Sequence, residues 1–234
     1  MNNRIEGLKY LINKAKAEVS ALKPNGRYFE HCFFEFNSTI DESILKLLES
    51  KYNINLPNEY RDYVIHIANG GNQPSCGMFS VQQSLALLNK ELPSCEVLSN
   101  SDLCSRYCRI FHYNNNDEDK KLILEKDNLT LDDYFDYDTN TFIYQHFLVE
   151  GDITSFDEYE SRMKRHLLIF SYFDMVHIEY AIALDGRYKG TVIYYSNEYL
   201  TNIRITNLNF IDWMIEFYSH ALECKRGFFT SIEE

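Results

Sequence analysis

The residues of this chain that are best suited to chemistry are carboxylates gathered in one interval without basic residues. No lysine or arginine lies between Lys126 and Arg162, and the ten acids of that interval are interleaved with tyrosines and phenylalanines. Carboxylates steer and pair with the basic groups of a partner, while aromatic rings supply much of the binding energy of an interface. The interval therefore predicts a surface that binds a basic protein. The residues expected to contact this partner are Asp132, Asp133, Tyr134, Asp136, Tyr137, Asp138, Glu150 and Asp152.

A plainer interpretation of the same interval is a solvated acidic loop whose aromatic side chains pack beneath it. Residues 127–141 have the polar, acidic composition of a surface loop. The two interpretations differ in what charge reversal does. If the acids form a binding surface, changing Asp132, Asp133 and Asp136 to lysine abolishes partner binding and leaves the melting temperature nearly unchanged.

One set of residues in the sequence has a spacing that could suit a metal. Cys104, Cys108 and His112 follow each other at four-residue intervals, which a helix would place on one face. No second cysteine pair completes a zinc set, and the stretch from Asp132 to Asn140 lacks the glycine turn and terminal glutamate of an EF-hand. We therefore expect buried thiols and a surface histidine, with no metal and no cofactor.

The sequence contains few patterns that indicate catalysis. Cys76 with His66 or His31 would supply a nucleophile and a base, but nothing in the sequence fixes their geometry. The phosphate-binding loop, the dinucleotide fingerprint, the Gly-x-Ser-x-Gly elbow and the His-Glu-x-x-His motif do not occur. We therefore expect a protein without catalytic activity, and an uncharacterised enzyme remains an alternative.

The overall charge limits the class of partner. The 234-residue chain carries a formal charge of −12, whereas binding to nucleic acid needs a basic surface. No stretch approaches the roughly 20 apolar residues of a membrane span, and the N-terminus lacks the pattern of a secretory signal. We expect a cytoplasmic protein that binds neither nucleic acid nor membrane, with its six cysteines reduced. The sequence leaves the oligomeric state open.

Apolar periodicity predicts the N-terminal elements of the fold. An amphipathic stripe over residues 3–22 predicts a first helix, and Thr39-Ile40-Asp41-Glu42 has the pattern of a capping box that starts a second. The second helix is expected to turn its apolar residues inward, namely Ile44, Leu47 and Leu48.

The rest of the chain has the pattern of a short helix, an antiparallel sheet and a final helix. Residues 178–184 alternate in the manner of a half-buried strand, and the turn from Asp185 to Gly190 makes a hairpin with the next strand. Asn207 is expected to cap the final helix. The other predicted elements are a helix near Val81–Leu88 and strands at Met78–Val81, Leu122–Glu125, Phe142–Val149, Leu167–Phe170 and Thr191–Tyr195.

The most distinctive segment of the chain runs from Leu56 to Gly71. Pro57 suits the first position of a helix, whose buried face would carry Tyr60, Tyr63, Val64, Ile67 and Ala68. The glycines tolerate positive φ, as a helix C-cap followed by a tight turn requires. Arg61 and Asn69 are the polar members that could reach a partner. The residues of the fold motif are Leu56, Pro57, Tyr60, Asn69, Gly70 and Gly71, with Gly77 and Gly190 further along the chain.

This ordered combination resembles the SUKH superfamily, which includes the yeast cell-wall-synthesis regulators and many bacterial immunity proteins. Gly77-Met78-Phe79, the Leu184–Tyr195 hairpin and Leu208–Phe217 follow in the order that the family shows. The resemblance implies one α+β domain, with a mostly antiparallel sheet flanked by helices. Its expected parts are an N-terminal helical extension over residues 1–37 that packs on the domain, the domain over 38–222, an acidic insertion over roughly 91–163, and a tail over 223–234.

The resemblance also implies a non-catalytic binding module. In bacteria such domains look like immunity proteins, which neutralise a cognate polymorphic toxin, often a nuclease, by covering its active surface. The acidic, aromatic interval would then occupy the basic cleft that otherwise holds nucleic acid. The alternative is an intracellular scaffold or regulator of the yeast type. An immunity protein binds one toxin tightly, whereas a scaffold binds several endogenous proteins more weakly.

Overall fold

The fold is described from a computed structural model. Most of its described residues lie in helices and in the larger of two sheets. The described ranges are 3–21, 36–71, 77–88, 129–138, 141–142, 156–173, 178–196 and 201–224. They contain helices and a four-stranded antiparallel sheet, so the expected α+β class is confirmed. The chain divides into two compact units, one formed by Met1–Val81 with Leu208–Glu234 and the other by Gln82–Asn207. The limits expected for the extension, domain, insertion and tail stay predictions.

Along the chain, four helices come first, followed by a pair of two-residue strands, a fifth helix, the four strands of the larger sheet and a final helix. The helices are α1 (Asn3–Ala21), α2 (Glu42–Tyr52), α3 (Asn58–His66), α4 (Val81–Leu88), α5 (Phe156–Met163) and α6 (Phe210–Cys224). The strands are β1 (Phe135–Asp136), β2 (Thr141–Phe142), β3 (Leu167–Phe173), β4 (Ile178–Ala183), β5 (Thr191–Ser196) and β6 (Thr201–Asn209). Two short 3-10 turns lie at Leu131–Asp133 and Lys164–His166.

The first unit is built around α1 and α6, which pack along each other. The apolar stripe of α1 is buried as the periodicity predicts, at Ile5, Leu8, Ile12 and Ala15. α6 begins at Phe210, where Asn209 Oδ1 accepts a hydrogen bond from the Asp212 amide at 3.0 Å. Asn207 was expected to be this cap, but it lies inside β6 with φ +58°. The cap is two residues later because the strand continues as far as Asn209.

α2 differs from its predicted start and from its predicted orientation. Its N-cap is Asp41, whose Oδ1 accepts from the Ser43 amide at 2.7 Å, so the expected capping box at Thr39 is wrong. The inward face carries Leu45, which is fully buried, and not Ile44 and Leu47, which are 48% and 70% exposed. Leu48 is half-buried.

An ion pair explains why the inward face of α2 differs from the face predicted by its apolar spacing. Glu49, one turn after Leu45, pairs with Arg61 of α3, and both side chains are largely buried. Its other oxygen accepts from the Leu56 amide at 2.9 Å. A charged residue therefore occupies a position on the packed face that hydrophobic periodicity assigns to solvent.

α3 confirms the buried face predicted for the motif at Tyr60, Tyr63 and Val64, whereas Ile67 is half-buried and lies, with Ala68, after the end of the helix. Tyr60, Tyr63 and Val64 are fully buried, and both tyrosine rings meet the Phe210 ring edge-on at 5.1 Å between centroids. Pro57 is the N-cap rather than the first helical residue, and its carbonyl accepts from the Arg61 amide at 3.0 Å.

The two glycines after α3 have the predicted positive φ, but they do not cap the helix. The helix already ends at His66, with Ile67 as a right-handed C-cap, so the expected glycine cap is wrong. Gly70 and Gly71 have φ values of +88° and +141°. A Cβ on Gly70 would lie 2.8 Å from the Met78 carbonyl oxygen and from the Ser80 amide nitrogen. Glycine is needed here because two backbones come into direct contact.

The four-stranded sheet of the second unit has the order β3-β4-β5-β6. β4 pairs antiparallel with β3 and with β5, which confirms the predicted hairpin through the turn from Asp185 to Gly190. Along β4 the most buried face carries Glu179, Ala181 and Ala183, whereas Ile178 is half-buried. The carboxylate of Glu179 therefore lies on the buried face of the strand. The alternation in the sequence predicted the other face as the buried one, because that face carries Ile178 and the larger apolar residues.

Other predicted elements are found with different boundaries. α4 has the limits that were predicted, and β3 extends the predicted strand to Phe173. Met78 makes only an isolated bridge with Gly71 rather than a strand. Phe142 belongs to β2, whereas the rest of the strand predicted up to Val149 and the strand predicted at Leu122–Glu125 lie outside the described residues.

Candidate interaction site

The acidic interval contains a folded segment, residues 129–138, which we call the acidic strap. Its first turn is closed locally: the Thr130 amide and hydroxyl donate to Asp133 Oδ2 at 2.7 and 3.0 Å. β1 follows and pairs with β2, with Phe135 opposite Phe142. The expected surface loop over 127–141 is therefore wrong for this part, since Leu131, Tyr134 and Phe135 are buried.

The acidic strap is fixed to the β4–β5 turn by two aspartates, one in each segment, and each accepts a hydrogen bond from the backbone of the other segment. Asp185 of the turn accepts from the Leu131 amide at 2.8 Å through Oδ1. In return, both carboxylate oxygens of Asp132 accept from the Arg187 amide at 2.9 Å. Each carboxylate satisfies a backbone donor more than 50 residues away in sequence. Gly186 makes this approach possible, because a Cβ there would lie 2.6 Å from Asp132 Oδ1.

Tyr137 adds an aromatic contact to the same attachment. Its hydroxyl donates to Asp132, and its ring lies 5.0 Å from the ring of Tyr188. The Arg187 guanidinium lies over the Tyr137 ring, 4.7 Å from the centroid, in a cation–π contact. Burial, followed by the hydrogen bond to Asp132, raises the pKa of Tyr137, so the phenol keeps its proton and remains a donor.

A buried histidine supports Asp185 from the other side. His166 is 8% exposed, and its Nδ1 lies 2.7 Å from Asp185 Oδ2. Burial alone would raise the pKa of Asp185, but the hydrogen bonds from His166 and from the Leu131 amide outweigh it and the pKa is lowered. The carboxylate is therefore ionised at neutral pH, and Nδ1 is the donor. The Tyr134 ring packs against the imidazole at 5.4 Å.

The predicted partner-binding residues separate into two groups in the structure. Tyr134 is fully buried, and its carbonyl accepts from the Tyr159 hydroxyl at 2.6 Å, so its ring is not available to a partner. Asp132 is used in the attachment, so its reversal to lysine is expected to loosen the strap as well as to change the surface charge. The outward-facing acids are Asp133 and Asp138, with Asp136 half-exposed. Whether they contact a partner stays a prediction.

The remaining candidates from the sequence lie elsewhere. Two polar residues of the motif have structural partners: Asn69 Oδ1 accepts from the Val81 amide at 2.8 Å, and Arg61 pairs with Glu49. His66 is the last residue of α3 and is exposed. The other candidate residues lie outside the described part of the chain, namely His31, Cys76, Cys104, Cys108, His112, Glu150 and Asp152. In the part that is described, no three His, Cys, Asp or Glu residues are grouped as metal ligands.

A buried ionic network in the second unit was missed from the sequence. Glu179 is 1% exposed and accepts from Lys164 Nζ at 3.1 Å and from the Tyr195 hydroxyl. Lys164 also pairs with Glu160 at 2.7 Å. Burying a carboxylate is unfavourable unless it is paired and hydrogen-bonded, and here both oxygens are engaged. The network holds α5 and the following turn to the sheet, and the only signal for it was a glutamate within an apolar strand.

Comparison with known proteins gives no match, whether to family models, to curated proteins or to solved structures. Among the helices of the described ranges, none has the length and apolar character that crossing a membrane requires.

Proposed function

We propose that this protein is a non-catalytic binding module whose partner is a basic protein, and that the acidic strap forms part of the contact surface. The observation that carries the proposal is the exposure of Asp133 and Asp138 on a segment attached from behind by Asp132 and Asp185. A surface whose charged groups are already positioned binds with less loss of conformational freedom. Its carboxylates raise the rate of encounter with a basic surface.

The resemblance to SUKH immunity proteins suggests the class of partner. We propose a cytoplasmic immunity protein that neutralises a cognate polymorphic toxin, with a nuclease as the favoured toxin. A nuclease binds phosphates through a basic cleft, and the acidic strap would occupy that cleft in place of nucleic acid. The formal charge of −12 supports such a partner. A scaffold or regulator that binds several endogenous proteins is the alternative.

The test is rescue from a toxin. The probe is the C-terminal toxin domain of a large protein encoded by a neighbouring gene, expressed with and without this chain in the same cells. We expect restored growth and a stable one-to-one complex with that domain alone. Growth that stays arrested at equal toxin levels would argue against immunity. Weak capture of several endogenous proteins, without rescue, would favour the scaffold.

A further inference from the structure

We propose that Asp185 is the positioning residue of the acidic strap: its carboxylate joins His166 to the strap and so fixes the conformation that presents Asp133 and Asp138. The presentation to a partner rests on the function proposed above, whereas the positioning of the strap does not. Asp185 is outside the acidic interval and was not among the residues expected to matter for binding.

The geometry gives Asp185 a contact on each side. Oδ2 lies 2.7 Å from His166 Nδ1, and Oδ1 lies 2.8 Å from the Leu131 amide nitrogen. His166 is itself fixed, because its carbonyl accepts from the Leu184 amide at 2.9 Å. The carboxylate therefore connects the first turn of the strap to His166, whose position is fixed at the start of β3.

The acidic strap depends on such external contacts because its own secondary structure is small. It contains one 3-10 turn and the two-residue strand β1, which pairs with an equally short β2. A ladder of this size is not stable alone in water. Asp132 makes the reciprocal contact with the Arg187 amide, so two carboxylates hold the strap at neighbouring positions.

The charged groups around Asp185 favour its ionised form. His166 faces it from the turn before β3, and Lys189 lies on its own turn. From the strap, Asp132 approaches the same turn at Gly186, and Tyr134 packs on His166. Because the pKa of Asp185 is lowered on folding, its contribution is complete above the ordinary aspartate pKa. It is lost as the pH falls through the lowered value, below about pH 4.

The test is amide hydrogen exchange in the strap of the full-length chain, expressed as protection relative to an unstructured peptide at the same pH. We compare the wild type with Asp185→Asn, and use Asp138→Asn as the matched control. Both variants remove one negative charge, but Asp138 is exposed. We expect strap protection to fall at least tenfold in Asp185→Asn and to change less than twofold in Asp138→Asn. Equal protection in the two variants would overturn the proposal.

A pH profile separates positioning from a general structural role. In the wild type we expect strap protection to fall on acidification in step with protonation of Asp185, while the amides of β4 and β5 stay protected. In Asp185→Asn the fall over the same range should be clearly smaller than in the wild type. If Asp185→Asn does not fold, the wild-type pH profile decides, because it needs no variant. Wild-type strap protection that stays unchanged below about pH 4 would then overturn the proposal.

Partner binding distinguishes this inference from the proposed function. If Asp185→Asn loosens the strap and weakens binding to the toxin domain, both stand. If it loosens the strap while Asp133→Lys and Asp138→Lys leave binding intact, the strap is positioned by Asp185 but is not the contact surface, and the proposed function fails. If the strap stays protected in Asp185→Asn, the positioning proposal fails whatever the binding result.

Discussion

Tyr63 brings a hydroxyl into the apolar core of the first unit. Its ring is fully buried against Phe210, and its hydroxyl makes no hydrogen bond within the described residues. Burial raises the pKa of Tyr63, so the phenol stays neutral. A buried polar group without a partner opposes folding, and the packing of the ring offsets that effect.

Removing this hydroxyl is expected to stabilise the protein. Tyr63→Phe keeps the ring and deletes the unsatisfied group, which should raise the free energy of unfolding by about 1 kcal/mol. Urea denaturation measures the change, and Tyr10→Phe is the control because Tyr10 is 66% exposed. A decrease in stability for Tyr63→Phe would indicate instead that an internal water satisfies the hydroxyl.

Replacing Gly70 by alanine and replacing Gly7 by alanine are expected to change stability in opposite directions. Gly70→Ala combines a φ of +88° with a Cβ that overlaps the backbone of Met78–Ser80. We expect it to lower the free energy of unfolding by more than about 2 kcal/mol, or to prevent folding. Gly7→Ala meets no atom within 4 Å in α1 and should stabilise the protein by about 0.5–1 kcal/mol. Thermal denaturation of both variants measures the contrast, and a tolerated Gly70→Ala would contradict the close approach.

At the scale of elements, α2 shows how an ion pair can determine which face of a helix packs. Leu45 and Glu49 lie one turn apart on the inward side, and Arg61 neutralises the glutamate. Ile44 and Leu47 are left on the solvent side although their spacing is that of a core stripe.

Two leucines of α2 test this orientation. Leu45→Ala empties a fully buried site and is expected to lower the free energy of unfolding by about 2–5 kcal/mol. Leu47→Ala changes an exposed residue and should stay within about 0.5 kcal/mol of the wild type. Chemical denaturation of the two variants under the same conditions compares them. The reverse order would show that the helix packs through the stripe predicted from its sequence.

The elements that the sequence predicted well are those whose stability is local or periodic. The bounds of α4, the buried face of α3 and the β4–β5 hairpin followed from apolar spacing and glycine turns. The α2 face did not, because periodicity treats a paired glutamate as a surface residue. The attachment of the acidic strap did not follow from the sequence either. Asp132 and Asp185 accept hydrogen bonds from amides 55 and 54 residues away, and residue spacing does not indicate contacts at that separation.

At the scale of the whole molecule, acidity serves two purposes that composition cannot separate. Asp132, Asp185 and Glu179 are used inside the fold, where they accept hydrogen bonds from backbone or side-chain donors. Asp138 faces solvent, and Asp133 does so while also closing the turn at Thr130. The formal charge of −12 counts both groups alike, so it does not distinguish the carboxylates that the fold uses from those that face solvent.

Charge reversal at the outward-facing acids tests the proposed surface. Asp133→Lys with Asp138→Lys is expected to weaken binding of the toxin domain at least a hundredfold, because paired carboxylates become repulsive. Asp133 also accepts from Thr130, so amide exchange of the strap is measured in the same variant to separate the loss of charge from an opened turn. The control is Glu216→Lys with Glu223→Lys, which makes the same change in net charge at exposed positions of α6. Binding is measured by calorimetry, with unfolding followed in parallel. Equal losses in both double variants would mean that net charge, and not the strap, governs binding.

The exposed leucine and isoleucine of α2 also affect how such binding experiments behave. Ile44 and Leu47 are three residues apart and so are neighbours on the helix surface, and a contiguous exposed apolar patch favours non-specific association. Background retention on affinity resin is then expected from Leu47 and Ile44 whatever the partner. A Leu47→Glu version of the protein, which leaves the packed face of α2 unchanged, should lower that background and serve as the working reagent for pull-down and calorimetry.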